Sequence, residues 1–153
     1  MRFFLIDKII EIEVGIRARA IKNVSMSEDF FDDHFPSHPT MPGVLIIEGM
    51  AQLSGYLLYH SLKKISPEQN RKAVMIAINK AKFREIVRPG HQIIYASTIC
   101  SLDEVSAKVK VCASVEDRIV AEAELSFVMA ENNSPILEKS LQEIFAFWSE
   151  DLK

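Results

Sequence analysis

Residues 34–62 read HFPSHPTMPGVLIIEGMAQLSGYLLYHSL, and of these 29 positions only Glu48 is an Asp, Glu, Lys or Arg. A quarter of the chain is charged, so about seven such residues would be expected there from composition alone. Pro42-Gly43 opens a helical pattern of about twenty residues, ending near Lys63-Lys64, whose cations suit the negative end of the helix dipole. A helix apolar nearly all round has no face to give to water, so the rest of the chain must cover it on most sides. Gly49 and Gly55 weaken it intrinsically; the expected return is close approach of neighbouring backbone.

Cover is available from strand-like sequence on both sides. Residues 3–13 and 16–24 are rich in Phe, Ile and Val and read as two strands parted by Gly15. Met26 to Pro42 reads as a loop, its end held out of regular helix by Pro36, Pro39 and Pro42. After a polar connection (Ser66 to Lys72), residues 73–79 are apolar and 91–100 β-branched and aromatic. Val105, Ala107, Val109 and Val111 then alternate with Ser106, Lys108 and Lys110, and Ala121, Ala123, Leu125 and Phe127 with Glu122, Glu124 and Ser126. Period two with one polar face means antiparallel sheet, with Glu116-Asp117 as a hairpin turn. The fold class is therefore α+β: a curved antiparallel sheet wrapped around one long helix, with a second copy of the chain as further cover. Residues 1–130 form this domain. Residues 131–153 form a helical extension, with Leu137, Leu141, Ile144, Phe145, Trp148 and Leu152 on one stripe that should pack on the body of the fold or on a subunit interface.

Bulk properties exclude several classes. A chain of 153 residues is one domain with room for a core, and its net charge of −3 argues against nucleic-acid binding. Residues 63–88 carry eight basic and two acidic groups, a local +6 that leaves −9 for the rest. Such a surface attracts an acidic partner or a phosphate, or is simply solvated Lys and Arg. Cys100 and Cys112 lack zinc or CxxC spacing and read as buried free thiols. The apolar N-terminal run is too short for a signal peptide, and residues 44–59 are too short and interrupted for a membrane span, so a cytoplasmic location is expected.

The chemistry centres on His34 and Glu48. Burial in an apolar segment favours the neutral acid, and an undissociated Glu48 can act as a general acid. Gln52, one turn on, can fix its rotamer. His34, in the preceding loop, suits a general base. The helix start at Gly43 offers free N–H groups and the positive dipole end to a developing oxyanion. Together these describe removal of a proton α to a carbonyl with loss of a β-hydroxyl, the dehydration of a 3-hydroxyacyl compound. Phe30, Phe31, Phe35, Met41, Leu45, Met50 and Leu53 would suit an acyl chain. Asp32, Asp33 and His34 show no further metal-ligand set, His38, His60 and His91 read as loop or surface histidines, and residues 52–56 lack the strand-to-helix elbow of a Ser hydrolase.

The run HFPSHPTMPGVLIIEGMAQ resembles the signature of the FabZ-type 3-hydroxyacyl-acyl-carrier-protein dehydratases, approximately HFP-x-x-P-x-MPGVL-x-x-E-A-MAQ, and NKAKFREIVRPG and VAEAELSF resemble later segments of that family. The resemblance spans roughly residues 3–130. It implies the hotdog fold, a dimer that can assemble further into a trimer of dimers, and His34 and Glu48 meeting from different subunits. It implies that the Gly43 N–H binds the thioester carbonyl, that no metal or redox cofactor is needed, and that substrate arrives on the phosphopantetheine of an acidic acyl carrier protein. Phe35, Met41, Leu45 and Phe83 are then acyl-tunnel candidates, and Lys80, Lys82, Arg84 and Arg88 carrier-docking candidates. The related dehydratase/isomerase branch carries Asp where this chain has Glu48, which favours dehydration without isomerisation. The chain departs from the pattern at Gly49 (usually Ala), at His91 (usually Asp), at Glu85-Ile86 (usually more basic) and in its tail beyond 130. Two alternatives stay open: a hotdog thioesterase, which would release free thiol, and a non-catalytic acyl-binding subunit, which could lose the acid or the base; this chain keeps both.

Overall fold

The computed structural model describes residues 3–152. Two short strands, β1 (Lys8–Glu13) and β2 (Arg17–Asn23), precede a one-turn 3-10 helix at Asp29–Phe31 and the long helix α1 (Gly43–Ile65). Four longer strands follow: β3 (Arg71–Phe83), β4 (Gln92–Leu102), β5 (Ser106–Val115) and β6 (Arg118–Glu131). The chain then forms a second helix, α2 (Pro135–Trp148). All six strands form one antiparallel sheet in the order β1-β2-β4-β5-β6-β3.

The alternation read in the sequence is the alternation of the sheet. Ala107, Val109, Val111 and Ala113 on β5, and Ala121, Ala123 and Leu125 on β6, face the core, while Lys108 and Lys110 are exposed and Glu122 and Glu124 half-exposed. Glu116 and Asp117 both have positive φ (50° and 62°), the backbone of a two-residue hairpin whose twist matches the strands it joins. Against the inner face of the sheet lies α1, with Met50, Leu53, Leu57 and Leu58 completely buried. Each such side chain stabilises the fold by about 1.5–3 kcal/mol. Two serines fasten the helix at its polar points. Ser54 Oγ donates to Met50 O and so accepts from Ser97 Oγ of β4, both at 2.8 Å. Ser61 Oγ donates to Leu57 O and accepts from the Gly15 N–H in the β1–β2 turn.

Several expectations need correction. Phe3–Ile6 is not part of β1, because the Gln52 side chain takes up its backbone: the Leu5 N–H donates to Gln52 Oε1 (3.0 Å) and Gln52 Nε2 donates to Phe3 O (2.8 Å). Gly49 makes room for a side chain rather than for backbone; a Cβ there would lie 2.4 Å from the Tyr95 ring and hydroxyl. Gly55 has open space where its Cβ would be. Cys100 is exposed rather than buried, and Cys112 half-buried. His60 is neither in a loop nor at the surface: it is half-buried on α1 among the rings of Tyr56, Tyr59 and Phe145, and its Nε2 has no hydrogen-bond partner.

The edge strand β3 exposes Val74, Ile76 and Ile78, an apolar row on a long strand paired on one side by β6. At the other end of the chain, α2 starts at Ser134, whose Oγ accepts from the Leu137 N–H, with Pro135 at the first helical position. Phe145 packs edge-on against Tyr56 and Tyr59, and Trp148 edge-on against Phe4. Glu138 accepts hydrogen bonds from Tyr59 Oη, Asn132 Nδ2 and Gln142 Nε2. Burial alone would raise the Glu138 carboxyl, but those bonds outweigh it and hold the group below its ordinary value. Thus α2 is locked onto α1 by both apolar and polar contacts.

Candidate active site

His34 and Glu48 are both half-buried, and each lines its own cavity. His34 Nδ1 lies 2.7 Å from Thr40 O. A carbonyl oxygen can only accept, so the proton of the neutral imidazole sits on Nδ1 and Nε2 keeps its lone pair. The ring of the exposed Phe35 stacks on the imidazole, with centroids 4.1 Å apart. The His34 cavity, about 280 Å³, is also lined by Met41, Gly43, Phe83 and Val87. The base candidate and the first residue of α1 therefore line the same space. Phe83 is pressed so closely to Gly43 that a Cβ there would lie 2.6 Å from its ring, so glycine is what admits the aromatic wall.

Glu48 lines a second cavity of about 340 Å³, in which it is the only ionisable side chain among the described residues. Gln52 Nε2 donates to Glu48 Oε1 at 3.1 Å, while the same amide is held by the backbone of Phe3 and Leu5. The Gln52 side chain is thus fixed from both ends, and Glu48 Oε2 is the oxygen left without a partner among the described residues. The rest of the lining is apolar, including Phe4, Met75 and Phe127.

One protomer does not bring the two groups into a common space. Glu48 follows Gly43 by five residues, a rotation of about 140° around the helix axis, so the acid leaves α1 on a different side from the His34 cavity. Of the tunnel candidates, Met41 and Phe83 line the His34 cavity, Phe35 flanks it through its stacking on the imidazole, and Leu45 packs against the hydrophobic core. Of the basic candidates, Lys80 pairs with Glu124 (3.2 Å), and Lys82 and Arg84 with Glu122 (3.8 and 2.7 Å). The +6 window is therefore partly neutralised by β6; Arg88 is exposed. Among the described residues no group of three or more His, Cys, Asp or Glu gathers as a metal-ligand set, and no helix is long and apolar enough to cross a membrane.

Two elements of these cavities were not read from the sequence. The Thr40 carbonyl that orients His34 is backbone, which carries no residue-type signal. Leu141, Ile144, Phe145 and Trp148 of α2 line the Glu48 cavity; their stripe announced burial but not against what.

The sheet, the enclosed helix and these cavities define a hotdog-fold protein. Solved hotdog structures agree in fold: the ApeI:P dehydratase heterocomplex from Xenorhabdus doucetiae (TM-score 0.67, 15% identity, 91% of this chain and 90% of that one) and a hot-dog-like protein from Thermanaerovibrio acidaminovorans (TM-score 0.63, 20% identity, 94% of each). The FabA-like domain family matches residues 1–124. Among curated relatives, the 3-hydroxyacyl-[acyl-carrier-protein] dehydratase FabZ of Caldanaerobacter subterraneus subsp. tengcongensis is 43% identical over 129 residues, 84% of this chain and 89% of that protein. The FabZ of Verminephrobacter eiseniae is 42% identical over 133 residues, 87% of this chain and 88% of that protein. The chain belongs to the FabZ family of FabA-like hotdog proteins.

Proposed function

We propose that this chain catalyses the reversible dehydration of (3R)-3-hydroxyacyl groups, carried on the phosphopantetheine of an acyl carrier protein, to trans-2-enoyl thioesters in fatty acid or related acyl-chain synthesis in the cytoplasm. The observation that carries the reading is Glu48, the one ionisable group among the described residues of an apolar cavity, with Oε1 engaged by Gln52 and Oε2 without a partner among those residues.

Each residue then has a task. The thioester oxygen accepts a hydrogen bond from the Gly43 N–H, whose helix start stabilises negative charge there. That polarisation acidifies the α carbon, and His34 Nε2 removes its proton; the Thr40 carbonyl keeps Nδ1 protonated and the lone pair on the working nitrogen. The C–O bond at the β carbon breaks as Glu48 delivers a proton, and the hydroxyl leaves as water. Because Gln52 donates to Oε1, the transferred proton is the one on Oε2. Histidine ends protonated and glutamate ionised; running the steps backwards hydrates the enoyl product.

This chemistry needs both groups on one substrate, and a second copy of the chain supplies the missing half. The exposed apolar edge of β3 suits pairing with a copy of itself, which would continue the sheet and set the Glu48 side of one α1 near the His34 loop of the other. Arg84 and Arg88 flank the Glu85–Val87 rim of the His34 cavity, a position from which an acidic carrier protein could be met. The test is ultraviolet detection of enoyl formation from 3-hydroxyacyl-carrier substrates, with a thiol reagent present. Enoyl product without free thiol is expected; thiol release without enoyl product would replace the dehydratase reading with a hydrolase.

A further inference from the structure

The cavity that holds Glu48 is walled on one side by a part of the chain that lies outside the matched family domain, which ends at residue 124. Four side chains of α2, Leu141, Ile144, Phe145 and Trp148, form one side of it, facing Met75 of β3. This wall is fixed in place. Phe145 is wedged against two tyrosines of α1, Trp148 against Phe4, and Glu138 is held by three hydrogen bonds at the start of the helix. Apart from the Glu48–Gln52 pair the lining among the described residues is apolar, so what it offers a ligand is volume and shape, the properties that discriminate acyl chains by length.

We propose that α2 is the end wall of the acyl site and sets the chain length this protein accepts, with Leu141 and Ile144 as the specificity-determining residues. Both are half-buried, in contrast to Phe145 and Trp148, which are more deeply buried in the α1–α2 contact. They can therefore change size with less damage to the packing of α2. The inference rests on the dehydratase reading. A hydrophobic wall rejects an oversized chain by overlap and loses contact with an undersized one, and each methylene changes discrimination by about tenfold or more.

The test compares kcat/KM over a series of 3-hydroxyacyl substrates of increasing length in three single variants, each checked for a native melting transition. Ile144→Ala should raise the long-to-short ratio of kcat/KM by roughly tenfold, and Leu141→Trp should lower it by a similar factor. Phe147→Ala, on the exposed outer face of α2, should keep the wild-type profile. Ratios that stay at the wild-type value in both Ile144→Ala and Leu141→Trp, in proteins that still dehydrate, would overturn the wall while leaving the dehydratase reading intact. A wild-type protein that dehydrates no member of the series would overturn the reading beneath it.

Discussion

Glu48 and His34 are held alike: in each, a neighbour ties down one polar atom, and the other has no partner among the described residues. Gln52 holds one oxygen of the carboxyl group, and the Thr40 carbonyl holds one nitrogen of the imidazole. Glu48→Gln keeps the shape but cannot deliver a proton, and should lower kcat by about 10²–10⁴; a variant with full rate would remove Glu48 from the acid role. Gln52→Ala should cut kcat by roughly tenfold through loss of a hydrogen bond to the carboxylate that forms as Glu48 gives up its proton. It should also lower the melting temperature, since the Leu5 N–H and Phe3 carbonyl lose their partner with the same side chain. An unchanged kcat in a variant that melts early would leave Gln52 only the second of these roles. Gly49 is constrained by sterics. Placing a methyl 2.4 Å from the Tyr95 ring and hydroxyl should cost about 1–3 kcal/mol, read as a fall in the urea midpoint of Gly49→Ala; an unshifted midpoint would show that Tyr95 gives way freely.

At the scale of elements, the docking of α2 carries a pH dependence. Burial lowers the His60 pKa from its ordinary 6.5, so the unfolded chain takes up a proton that the folded one resists. The His60 contribution is whole above 6.5 and is lost as pH falls from there through the folded value. Glu138, held below 4.5, loses its contribution only in a separate, more acid window. The melting temperature should therefore begin to fall just below pH 6.5, and His60→Leu should flatten that first decline. Superimposable wild-type and His60→Leu profiles would contradict this. Much at this scale was legible in the sequence. The alternation at 105–111 and 121–127 is β5 and β6, Glu116-Asp117 is their turn, and the largely apolar run from Gly43 is α1. Phe3–Ile6 misread as strand because apolar residues announce burial: Leu5 and Ile6 are buried and Phe4 packs on Trp148, while the Leu5 N–H bonds to a side chain 47 residues away. His60 misread because its setting is made by Phe145, which sequence cannot bring near.

At the scale of the whole molecule, the sequence carries the pair His34 and Glu48 as one motif, yet one protomer keeps them in separate cavities. Periodicity places side chains on faces of an element; it does not say which faces of two copies meet. The family resemblance supplied that relation, and the exposed edge of β3 supports it. Complementation tests it most directly. His34→Ala and Glu48→Gln chains, carrying different tags, are co-expressed and the mixed dimer isolated. If each site takes its base from one copy and its acid from the other, one site of the mixed dimer is doubly defective and the other intact. The mixed dimer should then recover about half the wild-type dehydration rate, as two-fold symmetry requires. A rate no higher than that of either single-variant dimer would place both groups in the same chain and contradict the account.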